Sequence, residues 1–345
     1  MFKFIFSISV IIMIFTYQLN SQQDEYYKLI TEAISQYRSA NYEEAGIAFE
    51  NAFKIGDPNK EDFYNASCSW ALAGNKDKAF DYLNKSIDAG WLQPEHLQID
   101  PDLLTLRDDR RWESMIEKIT KNIADIESRF PDKHLFMKII ELPDPKLSSD
   151  YSVEEAIHNR RSVRSYQEMP VSLQELSQML WAAYGINKKI PNGPAFLRGG
   201  LRTAPSAGAL YPLDIYVVAG EVKDLEAGIY LYDSENHKLN MTKKGDFRED
   251  LSNAALGQMM LAKAPFSLVY SAIFERTTKK YGKRGRERYV MMDLGHSAEN
   301  IYLQAASLGL GTCAIGAFTD IKIKQLINMT KEEEPLYLMP VGKLK

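Results

Sequence analysis

Three guanidinium groups and one hydroxyl group fall within five consecutive residues near the middle of the chain. They belong to Arg160, Arg161, Ser162 and Arg164. A guanidinium group is permanently charged and presents forked donors, which suit the oxygens of a phosphate group. The segment therefore predicts a phosphate-binding element, and a solvated basic turn is the alternative that the same residues allow.

A second element that suits a ligand is the loop from Thr203 to Pro212. Small side chains and two prolines make this loop rigid and let a flat ligand approach its backbone closely. Ser206 could cap the loop or donate to such a ligand, but a tight structural turn before a strand explains the same composition. No G-x-S-x-G sequence surrounds Ser206, so we do not expect a hydrolase nucleophile there.

The third element is the apolar, glycine-containing run from Gly309 to Phe318. Gly309 suits the C-terminus of a helix, so it carries no functional weight. Gly316 differs, because a glycine inside an apolar strand weakens it unless backbone or ligand comes close. The Gly-Leu-Gly run ends a helix and does not open one, so it is not a Rossmann fingerprint.

Seven lysine and arginine residues lie between Arg276 and Arg288, around Tyr281. One interpretation is a mobile lid that admits an anionic substrate or contacts it through Tyr281. A nucleic-acid surface would need stacked aromatic residues, which the segment lacks. The third interpretation is a solvated loop before the next helix.

The elements that must position these residues alternate between helices and strands across residues 151–345. The predicted helices span residues 153–159, 173–183, 248–262 and 289–308. The predicted strands span residues 213–219, 228–232, 266–273, 312–318 and 336–341. Such a mixture predicts an α+β domain in which a mixed sheet is flanked by helices.

The first half of the chain contains an internal repeat. The segment that begins at Asn41 recurs at Asn75, an offset of 34 residues, and the same offset pairs Phe49 with Leu83. A helix-turn-helix period of this length is typical of the tetratricopeptide repeat, which residues 24–125 resemble. The resemblance implies an all-α domain that binds a partner protein or peptide, and a structural spacer is the alternative.

Residues 126–150 are rich in proline and serine and predict a linker. At the other end, Lys3 precedes an apolar run that is too short for a bilayer and suits a signal peptide, residues 1–21, cleaved near Ser21. We therefore expect an exported, periplasmic protein. An uncleaved anchor and a buried first helix are the alternatives.

The composition limits the partners and metals that the chain can use. The net charge of -4 and the interspersed signs give no reason to expect a nucleic-acid partner. The chain has two cysteines and five histidines, without the spacing of metal ligands. We therefore expect no metal site.

Taken in order, the three elements resemble the nitroreductase superfamily, and most closely its SagB-type dehydrogenase branch. The resemblance rests on six ordered blocks: AIHNRRSVRSY, ELSQMLWAAYGI, RTAPSAGALYPLDIYVV, GIYLYD, DLGHSAENIYLQAASLGLGTCAIGAF and LMPVGK. It implies a nitroreductase-like fold over residues 151–345, with FMN bound non-covalently at a homodimer interface.

The resemblance also implies roles for individual residues. It assigns the FMN phosphate and ring to the basic element: Arg160, Arg161, Ser162 and Arg164. It also implies that the loop of the other subunit covers the flavin, through Pro205, Ser206, Ala207 and Gly208. It implies that Ile315 and Gly316 lie along the reactive face of the flavin ring. Lys343 would make a further contact with the phosphate. Because the flavin carries the chemistry, Tyr281 is the one catalytic side chain that we name.

The implied function is an FMN-dependent oxidoreductase that moves electrons to or from a small-molecule or peptide-derived substrate. The alternative is a repeat-based binding module that carries a degenerate flavin domain. Nicotinamide cofactors are scarce outside the cytoplasm, so export predicts a different electron partner. The substrate and the direction of the reaction stay open.

Overall fold

The computed structural model describes residues 23–345. The chain forms two compact units, of which the first ends at Ile126 and the second spans Glu127–Lys345. The predicted signal peptide, residues 1–21, lies outside the described residues. Among those residues, no helix is both long enough and apolar enough to cross a membrane.

The first unit is helical, as the sequence predicts. Its helices are α1 (residues 23–38), α2 (Tyr42–Phe53), α3 (Lys60–Leu72), α4 (Lys76–Asp88), α5 (Pro94–Ile99) and α6 (Arg111–Glu127), with a 3-10 helix at Pro101–Leu106. Asn59 and Asp62 form a capping box that begins α3, and the Asn75 side chain accepts from the Lys78 backbone to begin α4.

The 34-residue offset appears in the helices of the first unit. Helices α2 and α4 begin 34 residues apart, and the residues that the repeat pairs, Phe49 and Leu83, are both buried. Trp91 stacks on Tyr64 with 4.5 Å between the ring centroids. The apolar positions of the repeat therefore form the cores of this unit.

The second unit contains one large sheet and two small ones. The strands are β1 (Lys138–Glu141), β2 (Val171–Ser172), β3 (Ile186–Lys189), β4 (Gly200–Arg202), β5 (Leu213–Ala219), β6 (Val222–Lys223), β7 (Gly228–Asp233), β8 (Lys238–Lys244), β9 (Phe266–Ile273), β10 (Leu310–Thr312) and β11 (Glu333–Lys343). The large sheet has the order β1-β8-β7-β5-β9-β11-β10, and its neighbouring strands are all antiparallel in the described residues.

The expectation of a mixed sheet is therefore wrong for the main sheet. Parallel pairing among the described strands is limited to β2 with β6, together with an isolated bridge between Ser162 and Thr312. The direction of a strand depends on the path of the connecting segments, and apolar periodicity does not report that path.

Helices cover both faces of the large sheet. They are α7 (Val153–Asn159), α8 (Leu173–Tyr184), α9 (Arg248–Ala254), α10 (Met259–Lys263), α11 (Glu275–Tyr281), α12 (Val290–Ser307) and α13 (Asp320–Ile327). Successive residues of β5 point to opposite faces, so Ile215 packs in one core and Tyr216 in the other. Helices α8 and α12 supply the first core, and α9, α10 and α13 supply the second.

Three segments differ from their predicted form. Only the first residue of the predicted strand 312–318 lies in a strand, because β10 ends at Thr312. The predicted helix 248–262 divides at Gly257, whose φ is 75°. The basic segment, expected to be a loop, forms α11 and a π-helix at Gly285–Tyr289. Lysine and arginine favour helices, and that propensity overrides the two glycines that suggested a loop.

The predicted linker adds structure to the second unit. Strand β1 pairs with β8 at the edge of the large sheet, and His134 Nε2 lies 3.0 Å from the carboxylate of Glu333. The buried Glu333 also accepts from Tyr216 and Ser271. Because β1 leaves most of its side chains exposed, its sequence does not show the alternation by which strands are recognised.

Candidate flavin site

Helix α12 contacts all three elements that the sequence singles out. The π-helix precedes it directly, and π-helical turns are often found at functional sites. Asp293 lies in its first turn and contacts the 203–212 loop, whereas Tyr302 contacts the basic element. These two residues are nine positions apart, which corresponds to about 13 Å along the helix axis.

The basic element lies against the C-terminal half of α12. Ser162 forms the parallel bridge with Thr312, and its hydroxyl lies 3.2 Å from that of Tyr302. The Tyr302 hydroxyl in turn accepts from the backbone of Ala314 at 2.7 Å. The Arg160 guanidinium lies 5.4 Å from the centre of the Tyr302 ring. The basic element and the 310–318 segment are thus brought together around Tyr302.

The three arginines of the basic element form no ion pairs in the described part of the chain. Within residues 23–345, no carboxylate lies at ion-pair distance from Arg160, Arg161 or Arg164. Arg161 donates to two backbone carbonyl groups, those of His158 and Arg160. The Thr312 hydroxyl is buried and has no hydrogen-bond partner in the described structure. An anion that accepts hydrogen bonds would satisfy these donors.

Lys343 is less available to bind a phosphate group than the sequence suggests. Its ammonium group forms an ion pair with the carboxylate of Glu175, at the start of α8. Burial acts to raise the pKa of Glu175, but hydrogen bonds from Lys343 and Ser172 outweigh it and lower the pKa. Contact between Lys343 and a phosphate would therefore compete with an existing ion pair.

The 203–212 loop is attached to α12 through Asp293. The Ser206 hydroxyl donates to Asp293 Oδ2 at 2.5 Å, and the Ala207 N–H donates to Asp293 Oδ1 at 3.2 Å. Ser206 Oγ also accepts from the Tyr211 N–H at 2.9 Å. Asp293 is 2% exposed, and burial is the main cause that raises its pKa. Neighbouring Pro205 is exposed.

The same loop contains backbone in the left-handed region. Gly208, Ala209 and Tyr211 have φ values of 65°, 55° and 48°. Residues with a β-carbon rarely adopt this region, and such strain is often found where a ligand binds. The buried Arg202 guanidinium packs 4.3 Å from the centre of the Tyr211 ring and helps to hold this conformation.

Two side chains of α11 lie directly over Gly208. A β-carbon built on residue 208 would lie 2.7 Å from the Tyr281 hydroxyl and 3.2 Å from Lys280 Nζ. The Tyr281 ring packs edge-on against Tyr289, with 4.9 Å between the centroids. The sequence suggested Tyr281 but not Lys280, although a lysine beside the candidate tyrosine was a signal that could have been used.

The third element places Ile315 and Gly316 just beyond the end of β10. The Ile315 side chain is buried, and its N–H and carbonyl groups both pair with Leu338. Gly316 is exposed, and a β-carbon there would meet only Tyr337, at 3.6 Å. Of the two residues, Gly316 is the one that a ligand can reach.

The first unit brings together three side chains that could bind a metal ion. Ligand atoms of Cys68, Asp100 and Asp102 lie within 4.8 Å of one another. Tyr64 and Tyr37 donate hydrogen bonds to the two carboxylates, and burial raises the pKa of the Cys68 thiol. The expectation that the chain has no metal site therefore stays a prediction.

Comparison with known proteins identifies the family. The model of the nitroreductase family matches residues 157–343. This chain belongs to the nitroreductase family. Protein MJ1384 of Methanocaldococcus jannaschii is 44% identical over 204 residues, which are 59% of this chain and 96% of that protein. The second unit is therefore a nitroreductase-family oxidoreductase domain.

The chain is also similar to two further proteins. A solved nitroreductase-family structure from Ralstonia eutropha JMP134 is 30% identical, with a TM-score of 0.51, and the match covers 62% of this chain and 94% of that one. The microcin B17-processing protein McbC of Escherichia coli is 28% identical over 137 residues. That match covers 37% of this chain and 48% of McbC.

Proposed function

We propose that this chain is an FMN-dependent oxidoreductase that transfers hydride to or from a small-molecule or peptide-derived substrate. The observation that carries the proposal is the strained loop around Gly208, which Asp293 holds through Ser206 and which Tyr281 contacts at Gly208. Natural proteins keep such strain where it serves function. Bound FMN would supply the hydride transfer itself.

The residues of the second unit fit FMN. Arg160 and Arg164 offer unpaired charge to the phosphate, and the Ser162 and Thr312 hydroxyls belong to residues that face each other on a β-bridge. The small residues of the 203–212 loop offer backbone to a flat ring. Gly316 supplies an exposed backbone on the third element.

Tyr281 and Lys280 are the side chains that we propose act on the substrate. The Lys280 ammonium lies 5.3 Å from the centre of the Tyr281 ring, and both groups meet at Gly208. The Tyr281 hydroxyl would hold the proton that the substrate loses or gains at the reacting atom. Lys280 is exposed and would attract an anionic group of the substrate.

For the substrate, we propose a SagB-type reaction in which a peptide-borne heterocycle is oxidised. The similarity to McbC, a protein named for the processing of a microcin, supports this direction. The competing possibility is reduction of nitroaromatic compounds or quinones by NAD(P)H. Steady-state turnover of NADH with a quinone acceptor would favour that alternative.

We further propose that two copies of the second unit form a homodimer in which the loop of one copy covers the flavin of the other. Met291 and Met292 are exposed on α12 and would supply apolar surface to that contact. The resemblance of this domain to its family supports the arrangement.

For the first unit, we propose a tetratricopeptide-repeat domain that binds a protein partner, in a protein exported to the periplasm. The 34-residue offset between α2 and α4 supports the repeat. A cavity of about 480 Å³ lies in this unit, lined in part by Tyr64, Trp91 and Asp100, and would receive a segment of the partner.

Export predicts an electron partner other than a nicotinamide.

The absorbance spectrum of the purified protein tests the central proposal. We expect a yellow protein with flavin bands, or the same bands after incubation with FMN and removal of the excess. A colourless protein that takes up no FMN would favour the alternative of a binding module with a degenerate flavin domain.

A further inference from the structure

The 205–211 segment holds a conformation that its own sequence does not favour. Ala209 and Tyr211 both have positive φ values, and Tyr211 is a bulky aromatic residue. Such a backbone persists only where the surrounding structure holds it in place. The groups that hold this loop therefore decide whether its shape is ready before a ligand arrives.

A short hydrogen-bonded chain that begins at Asp293 spans the strained turn. One carboxylate oxygen accepts from Ser206 at 2.5 Å, and the other accepts from the Ala207 N–H at 3.2 Å. The same Ser206 oxygen accepts from the Tyr211 N–H at 2.9 Å. Asp293 thus restrains both ends of the turn, directly at one end and through Ser206 at the other.

Fold stability alone does not explain a carboxylate at this position. Asp293 is 2% exposed, and within residues 23–345 no lysine or arginine lies at ion-pair distance from it. Burial makes a carboxylate costly and raises the pKa of Asp293, and the charge of nearby His296 offsets only part of that shift. Both of its oxygens are used on the loop, so the benefit that offsets this cost lies there.

We propose that Asp293 is a positioning residue for the flavin: through Ser206 and Ala207, it fixes the 205–211 loop in the shape that receives the flavin ring. The inference rests on the proposed function, because it requires that this loop contact bound FMN. Asp293 acts through the loop and is not itself a contact of the flavin.

The test is the dissociation constant for FMN, measured by fluorescence quenching on the full-length apoprotein and its variants. We expect Ser206→Ala and Asp293→Ala each to weaken FMN binding by about tenfold. The double variant should bind FMN as tightly as the single variant that has the larger dissociation constant. Ser206→Thr keeps the hydroxyl and should bind within about threefold of the unmodified protein. Glu299→Gln, an exposed change on the same helix, should leave the affinity unchanged.

A spectroscopic measurement separates positioning from general loss of structure. At saturating FMN, the visible circular dichroism of the flavin should change in the same way in Ser206→Ala and Asp293→Ala, because the ring lies against the same relaxed loop. Unchanged affinity in both variants, strictly additive losses, or an equal loss in Glu299→Gln would overturn the inference. If the unmodified protein binds no FMN, it is the proposed function that fails.

Discussion

The hydroxyl of Tyr281 lies so close to the α-carbon of Gly208 that a β-carbon on residue 208 would approach it to 2.7 Å. The position also has a φ of 65°, so glycine is favoured there for two independent reasons. One reason is local to the backbone, and the other is a contact between α11 and the loop.

Gly208→Ala should therefore weaken FMN binding and lower the melting temperature, whereas Gly309→Ala should affect only stability. Gly309 has nearly the same φ, 66°, but nothing within 4 Å of its missing β-carbon. Both changes carry a backbone cost of about 1–2 kcal/mol, and only the first adds a clash. Adding Tyr281→Ala to Gly208→Ala should recover part of the stability, as measured by thermal unfolding. No recovery would contradict the contact.

Tyr281→Phe should lower kcat by about 100-fold and leave the affinity for FMN unchanged, because it removes a proton-carrying group and not a flavin contact. Tyr289→Phe is the matched control, since that ring packs against Tyr281. Stopped-flow reduction and reoxidation of the flavin would show which half-reaction slows. An equal loss in both variants would assign Tyr281 a packing role.

Replacing Arg160 and Arg164 together by alanine should greatly weaken the binding of FMN but not of riboflavin, which lacks the phosphate group. The expected cost is about 3 kcal/mol or more, since two charge-assisted contacts are lost. Titration of the apoprotein with both flavins measures the difference. If riboflavin binding falls as much as FMN binding, the two arginines do not contact the phosphate.

Mixed dimers test whether the flavin site is shared between copies. One copy would carry Arg160→Ala with Arg164→Ala, and the other would carry Asp293→Ala. If the loop of one copy covers the flavin of the other, each mixed dimer has one intact site and retains half of the bound FMN. If both elements serve the same flavin within one copy, no intact site remains and no FMN binds with the affinity of the unmodified protein.

The pH dependence of stability should change in Glu333→Gln. Burial acts to raise the pKa of Glu333, but hydrogen bonds from His134, Tyr216 and Thr330 outweigh it and lower the pKa below the ordinary value of 4.5. The folded state therefore gains stability above pH 4.5 and loses it as the pH falls through the lowered pKa. The difference in unfolding free energy between the two proteins should shrink below pH 4.5. Glu332→Gln, an exposed change, should show no such trend.

The sequence predicted the helical first unit and most strands of the second, because apolar spacing and capping residues are local signals. Ser152 and Glu155 form the capping box that begins α7, the helix predicted at residues 153–159. The sequence missed β1, since the residues of that strand are largely exposed and its pairing with β8 is a long-range contact. It also failed to predict that the main sheet is antiparallel, because the direction of a strand depends on the path of the connecting segments.

In the site, too, the sequence showed the local features but not the long-range contacts. The small residues around Gly208 were visible in the sequence, but the bond between Ser206 and Asp293 joins residues 87 positions apart. Asp293 belonged to a quoted block, yet nothing in its local sequence indicated that it was buried against the loop. Lys343 was expected to contact the phosphate, and only the fold shows that Glu175 pairs with it.

The attachment of β1 also affects how the oxidoreductase domain can be isolated. A shortened protein that begins at residue 157, where the family match starts, would lack both β1 and His134. The edge of β8 would then present unpaired backbone groups to other molecules and invite aggregation. A truncation that starts before Pro131 keeps this edge covered, and its solubility should be correspondingly higher.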